Sequence, residues 1–221
     1  KDNFKKVWEN EGLLKLSSKN KSKITRNYSI ATNPKNEDHL KFNVRLALPL
    51  NGSNNPPGLG SSYLFSLKKG DTIELFGPFG DFHLKQTQKE IIFIGGGAGM
   101  APFRSQISHL FDTIKTKRKV SYWYGARSKK EIFYEDYFTI LSDKNKNFNF
   151  NIALSEPLPE DQWKGNIGYI HDVVNENYLN KIADLSKIEF YLCGPPLMVK
   201  ACRNMLSDIG LKNKQILFDA F

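Results

Sequence analysis

The residues best suited to chemistry lie where apolar runs end. Ile91-Ile-Phe-Ile94 runs into Gly95-Gly-Gly-Ala-Gly-Met-Ala-Pro102, and Phe103, Ile107, Leu110, Phe111 and Ile114 then recur at helical spacing. The pattern predicts a buried strand, a tight glycine turn and a helix. Such a turn points backbone N–H groups and the positive end of a helix dipole at its ligand, and glycines let a pyrophosphate approach the backbone closely. A nucleotide site is the natural reading. The stretch is not a P-loop, since no Gly-Lys-Ser/Thr follows, and Pro102 stands where the dinucleotide fingerprint expects a third small residue. Cys193-Gly-Pro-Pro196 places a thiol at another strand end, where a lone buried cysteine is ordinarily inert. The four histidines, His39, His83, His109 and His171, have no Ser or Cys partner pattern.

These residues need elements to position them. From Gln88 onward strand and helix patterns alternate: strand 91–95, helix 101–115, strand 119–125, helix 131–142, strand 148–154, helix 171–183, strand 188–193, helix 195–209 and strand 214–218. That alternation implies an α/β doubly wound parallel sheet with helices on both faces, whose ligands lie beyond the carboxyl ends of the strands. Four marked loops fall at those ends: Gly95–Gly99, Gly125–Ser128, Leu154–Pro157 and Cys193–Pro196. Residues 24–32, 39–48 and 72–76 instead read as antiparallel β, with Leu40, Phe42, Val44, Leu46 and Leu48 alternating against polar or small residues. Residues 62–67 form a short apolar piece, helical or extended, and 51–58 a loop. Residues 1–24 are polar, with isolated apolar residues such as Trp8 able to cover a neighbouring surface. The expected organisation is two domains, 1–87 and 88–221.

Bulk properties narrow the function classes. The chain has 221 residues, 40% hydrophobic and 13% aromatic, which is globular. No apolar run approaches the about 18 residues of a membrane span. The net charge of +9 comes mainly from lysines mixed with asparagine and acidic residues, a solvated surface with no nucleic-acid motif. Cys193 and Cys202 form neither a CxxC nor an iron–sulfur ligand set, and they fit a reducing compartment.

Arg26-Asn-Tyr-Ser29, Gly58-Leu-Gly-Ser61, Gly77-Pro-Phe-Gly80, Gly95–Pro102, Cys193-Gly-Pro-Pro196 and a terminal aromatic, Phe221, stand in the order of the ferredoxin–NAD(P)H reductase superfamily, which the chain resembles over essentially its whole length. Within it, Pro56–Tyr63, Ser121–Ser128 and Phe218–Phe221 are similar to the flavoprotein subunits of Na+-translocating NADH:quinone oxidoreductases. The resemblance implies a Greek-key antiparallel β-barrel binding FAD, here incomplete at its N-terminus, followed by an NADH-binding α/β domain. It implies that Arg26 pairs with the FAD pyrophosphate, Tyr28 stacks on the isoalloxazine, Ser29 hydrogen-bonds near its N5, and Gly58, Ser61 and Ser62 hold the pyrophosphate. Gly97, Gly99 and Pro102 would shape the turn under the nicotinamide nucleotide. Cys193, followed by Gly194 and Pro195, would sit beside the nicotinamide C4, and Phe221 would cover the flavin and move aside for hydride transfer. Ala220 departs from the pattern, which leads one to expect a second acidic residue there.

The implied activity is hydride transfer from NADH to FAD and single-electron release to a [2Fe–2S] domain of the same subunit, which would lie with a membrane helix in a missing N-terminal portion. The implied partners are the other subunits of a membrane NADH:quinone oxidoreductase complex, at the cytoplasmic face of a bacterial inner membrane. A soluble reductase of a multicomponent oxygenase is the alternative, and a non-catalytic flavin- or nucleotide-binding module a remoter one. Arg127, Lys129 and Lys130 after the second strand could read a 2′-phosphate, so the local sequence leaves NADH and NADPH both open, and the resemblance favours NADH.

Overall fold

The computed structural model describes residues 2–10, 12–49 and 56–220. Its contacts divide the chain into two compact units, 1–28 with 44–79, and 29–43 with 80–221.

The first unit contains helix α1, Asp2–Asn10, and helix α2, Leu59–Ser66. Trp8 packs edge-on against Phe65 at 6.3 Å, so the N-terminal segment does cover a neighbouring apolar surface. The apolar piece at 62–67 is helical, beginning at Leu59. The strands expected over 24–32, 39–48 and 72–76 do not form a ladder: the described residues of this stretch hold one isolated antiparallel bridge, Ile30 to Phe42, beside an Ala31 N–H to Lys41 carbonyl bond of 2.9 Å. Alternation dictates which face of an extended chain is apolar, and a ladder additionally requires a partner backbone in register. Leu40, Leu48 and Leu75 remain about half exposed, and Phe76 is 72% exposed.

The second unit is built on six parallel strands in the order β4-β3-β2-β1-β5-β6. They are β1 Glu90–Gly96, β2 Val120–Ala126, β3 Phe148–Leu154, β4 Asn166–Ile167, β5 Ile188–Gly194 and β6 Ile216–Ala220. Strand periodicity sorts the core. Ile91, Phe93, Tyr122, Tyr124, Tyr191 and Cys193 pack on one face with Met100 and Phe103, while Ile92, Ile94, Trp123, Phe190 and Leu192 pack on the other with Val199, Cys202 and Leu206. The helices are α3 Met100–Ser108, α4 Glu135–Lys144, α5 Ile170–Asn177 and α6 Pro196–Asp208.

Several boundaries differ from the pattern-based expectation. The helix expected over 101–115 is α-helical to Ser108 and continues as one π turn, His109–Thr113. The one expected at 131 begins at Glu135, because Tyr134 takes a left-handed conformation (φ 54°) after a 3-10 turn at Lys129–Glu131. The one expected over 171–183 stops at Asn177, and a separate 3-10 turn occupies Leu179–Lys181. Periodicity runs through such breaks because the apolar residues on both sides face one core. Strand β4, two residues long, is too short to carry a period.

Candidate functional site

Two clusters of the singled-out residues assemble, one within each unit. In the first unit, Arg26 and Tyr28 project at the start of α2. A Cβ on Gly60 would stand 2.8 Å from Arg26 Cγ and 3.4 Å from the Tyr28 hydroxyl, so glycine is what lets the three meet. Arg26 is exposed and donates to the Thr25 carbonyl at 2.8 Å, which leaves other donors of its fork facing outward. Tyr28 is half-buried, and that burial raises its pKa against the opposing pull of Arg26.

The hydroxyl of Ser61 is engaged within the protein. It is buried, donates to the Gly58 carbonyl at 3.2 Å and accepts the Ala47 N–H at 3.0 Å, fixing the entry to α2. The Ser62 N–H closes the first turn onto the Gly58 carbonyl at 2.9 Å. The first-turn N–H groups of Leu59, Gly60 and Ser61, which have no intrahelical acceptor, remain as anion donors beside Arg26. The Gly60 cradle, the guanidinium and these donors fit a pyrophosphate, so this cluster suits the phosphate portion of FAD.

In the second unit the carboxyl ends of the central strands bring the remaining residues together. Gly95 of β1 is in register with Cys193 of β5, and Cys193 with Asp219 of β6. The four marked loops leave β1, β2, β3 and β5 at this edge, as alternation predicts. Gly97–Gly99 forms a 3-10 turn leading into α3, and the Gly97 carbonyl accepts the Tyr124 hydroxyl at 3.3 Å. Gly99 passes so close to β5 that a Cβ there would overlap the Cys193 carbonyl and stand 2.7 Å from the Gly194 nitrogen. The glycine is therefore demanded by the approach of one strand end to another. Pro102 is buried in the first turn of α3, while Gly194 and Pro195 carry β5 into α6, whose first bond runs from the Val199 N–H to the Pro195 carbonyl at 3.0 Å. These backbone cradles fit a dinucleotide pyrophosphate.

Cys193 is fully buried, and burial first, then the Asp219 carboxylate, pushes its thiol far above the ordinary range. It is a neutral, compact group at physiological pH and does not act as a thiolate nucleophile. Asp219 is the residue sequence reasoning passed over. It accepts a 3.5 Å hydrogen bond from Ser29 Oγ and lies in register beside Cys193, so Ser29, Asp219 and Cys193 form one group. Its signal was available in the pattern of β6, which places Asp219 at a strand's carboxyl end. Phe221 lies outside the described residues, as do Asn51–Asn55 of the expected loop. Cys202 is buried among Val199, Leu206 and Phe190 and belongs to the core, as its place on the last helix implies. Among the described residues no three His, Cys, Asp or Glu side chains are grouped to hold a metal ion, and no helix is long and apolar enough to cross a membrane.

Known proteins match both parts of the chain. The oxidoreductase FAD-binding domain family matches residues 13–84 and the oxidoreductase NAD-binding domain family residues 93–204. A protein of Idiomarina loihiensis named as the F subunit of a Na(+)-translocating NADH-quinone reductase is 48% identical over 97% of this chain, which covers 53% of that relative. The chain thus spans about half the length of the relatives it matches. Among solved structures, the cytochrome b5 reductase domain of Ulva prolifera nitrate reductase shares the fold, with a TM-score of 0.74 at 22% identity over 89% of this chain and 77% of that one. The ferredoxin reductase in carbazole 1,9a-dioxygenase aligns at 31% identity and a TM-score of 0.59 over 74% of this chain and 48% of that one.

Proposed function

This chain belongs to the ferredoxin–NAD(P)H reductase superfamily, and on that premise we propose that it is the electron-input portion of a Na+-translocating NADH:quinone oxidoreductase. The observation that carries the reading is the row Gly95–Cys193–Asp219 with Ser29 bonded to Asp219, set at the carboxyl edge of the sheet. FAD, when bound, would supply acceptance of a hydride from NADH and release of single electrons to a [2Fe–2S] domain. The chain's own residues bind, orient and exclude. Arg26 and the first turn of α2 would neutralise the FAD pyrophosphate and Tyr28 would cover the ring system, with the second cover assigned by motif alone to Phe221, outside the described residues. Gly97, Gly99 and Pro102 seat the nicotinamide nucleotide. Cys193, kept neutral by burial, packs beside the reacting carbon without competing for the hydride. Ser29 offers a hydroxyl at the flavin N5, and Asp219 orients that hydroxyl.

We set the boundary between the two activities at 87/88, between the FAD-binding match ending at 84 and the NAD-binding match beginning at 93. NADH is preferred to NADPH because Arg127 is engaged by Glu131, with Nε 3.0 Å from Oε1, and Lys130 by Glu160 at 3.2 Å. Two of the three cations named above, Arg127 and Lys130, thus already have carboxylate partners. The partners are the other subunits of the membrane complex, at the cytoplasmic face of the bacterial inner membrane. Reduction of quinone by the assembled complex separates this reading from a soluble oxygenase reductase, which the likeness to the carbazole dioxygenase component keeps as second.

Cys193→Ala should slow flavin reduction in stopped flow about 10-fold or more while FAD affinity stays near parental. A variant reducing at the parental rate would remove Cys193 from the reacting centre.

A further inference from the structure

Residues 29–43 lie inside the FAD-binding match, yet by contacts they group with the second unit. The reason is a strap of polar contacts onto helix α3. Arg104 Nη1 donates to the Ala31 carbonyl at 2.6 Å and to Glu37 Oε2 at 2.8 Å, and Nη2 donates to Glu37 Oε1 at 3.0 Å. The guanidinium, 9% exposed, lies 5.0 Å from the Tyr134 ring and 5.2 Å from the Tyr137 ring. Ser105 Oγ donates to the Thr32 carbonyl at 2.7 Å, and Asn33 Nδ2 donates to Ser108 Oγ at 3.0 Å.

Arg104 lies on the helix that leaves the Gly97–Gly99 turn, and Ser29 immediately precedes the Ile30–Phe42 bridge of the strapped segment. The bidentate fork fixes the segment's orientation as well as its distance, because two parallel N–H to oxygen bonds share one plane. Two tyrosine faces hold that plane. We propose that Arg104, through Glu37 and the Ala31 carbonyl, is a positioning residue that holds Ser29 in place against Asp219 and beside Cys193. The strap works two residues from Ser29, with no contact to the reacting atoms. It rests on the reading of Ser29 as the flavin N5 partner, and it extends that reading to a residue pair with no expected nucleotide contact.

A strap that only stabilises the fold and one that positions Ser29 differ in what they move. In the FAD-loaded protein, Arg104→Met should lower the limiting rate of flavin reduction by NADH about 10- to 100-fold, as a misplacement of about 1 Å does, while the Kd values for NADH and FAD stay within about twofold. Arg104→Lys, which keeps the charge and one contact, should recover part of the loss. Independently of activity, hydrogen exchange at the Ala31 and Lys41 amides should quicken in Arg104→Met while the β1 amides stay protected. Should Arg104→Met fail to fold, Glu37→Gln is measured in its place, with the same split expected and a smaller loss. A parental limiting rate with quickened exchange would overturn the positioning role. So would a rate loss matched by an equal loss of NADH affinity, or unchanged exchange in the variants. If native protein is not reduced by NADH at all, the hydride reading fails, and the exchange arm still decides whether the strap exists.

Discussion

Arg26, Tyr28 and the first turn of α2 meet on extended chain and one eight-residue helix, whereas Gly95, Cys193 and Asp219 sit in one register row across three parallel strands. The first cluster sets an exposed guanidinium beside first-turn N–H groups that have no intrahelical acceptor, a grip whose energy comes from its ligand. In the second, Gly95 and Cys193 are buried and Asp219 is half-buried, so much of its energy is already present in the protein. Substitutions in the sheet row should therefore appear as lost folding stability, and substitutions at the α2 turn as lost affinity for FAD.

The largest expected effect is at Gly99. A methyl there meets the Cys193 carbonyl and the Gly194 nitrogen, backbone atoms that cannot rotate away. Gly99→Ala should lower unfolding free energy by about 2–3 kcal/mol in a denaturant titration, in the range of overpacked cores. A loss under about 0.5 kcal/mol would mean the edge is pliable and erase the contrast.

Next is the strap. The Arg104 fork above all, with Lys41 and the Asn33 N–H, holds the Glu37 carboxyl at about 2, below the ordinary 4.5. A carboxyl whose folded value is depressed contributes stability above its unfolded pKa and loses it as pH falls through the folded value. Native protein should thus shed on the order of 2 kcal/mol between about pH 5 and pH 2 that Glu37→Gln does not, and parallel stability curves would show that the pair contributes nothing net. The smallest effect is at the first cluster. Gly60→Ala pushes the flexible Arg26 stem aside and should weaken FAD binding about 10-fold, near 1.4 kcal/mol, with Tm of the FAD-free protein almost unchanged.

Much of the second unit was legible because its strands obey one rule. Ile91–Ile94 and Ile188–Cys193 are largely apolar, each ends in glycine, and parallel topology then fixes which edge the loops share. The interruptions at Tyr134 and Tyr178 were not legible, since left-handed and irregular backbone there is imposed by tertiary packing rather than by glycine or proline. From Leu40 to Leu48, a stretch the two units divide between them, alternation marked an extended chain but carried no information about its partner. The site divided in the same way. The glycine turn and Cys193 stood out by residue type, whereas Asp219 and the Arg104–Glu37 pair emerge only when the fold joins positions 190 and 67 residues apart in sequence. Ser61 does belong to the α2 turn, as its motif implies, and its hydroxyl is engaged by Gly58 and Ala47.

The most direct measurement is an anaerobic titration of FAD-loaded protein with NADH and, separately, NADPH, followed by flavin absorbance. Bleaching by NADH at much lower concentration than by NADPH is the expected result, since Arg127 and Lys130 already hold carboxylates. Stable FAD binding with no bleaching by either nucleotide would contradict the hydride-transfer reading.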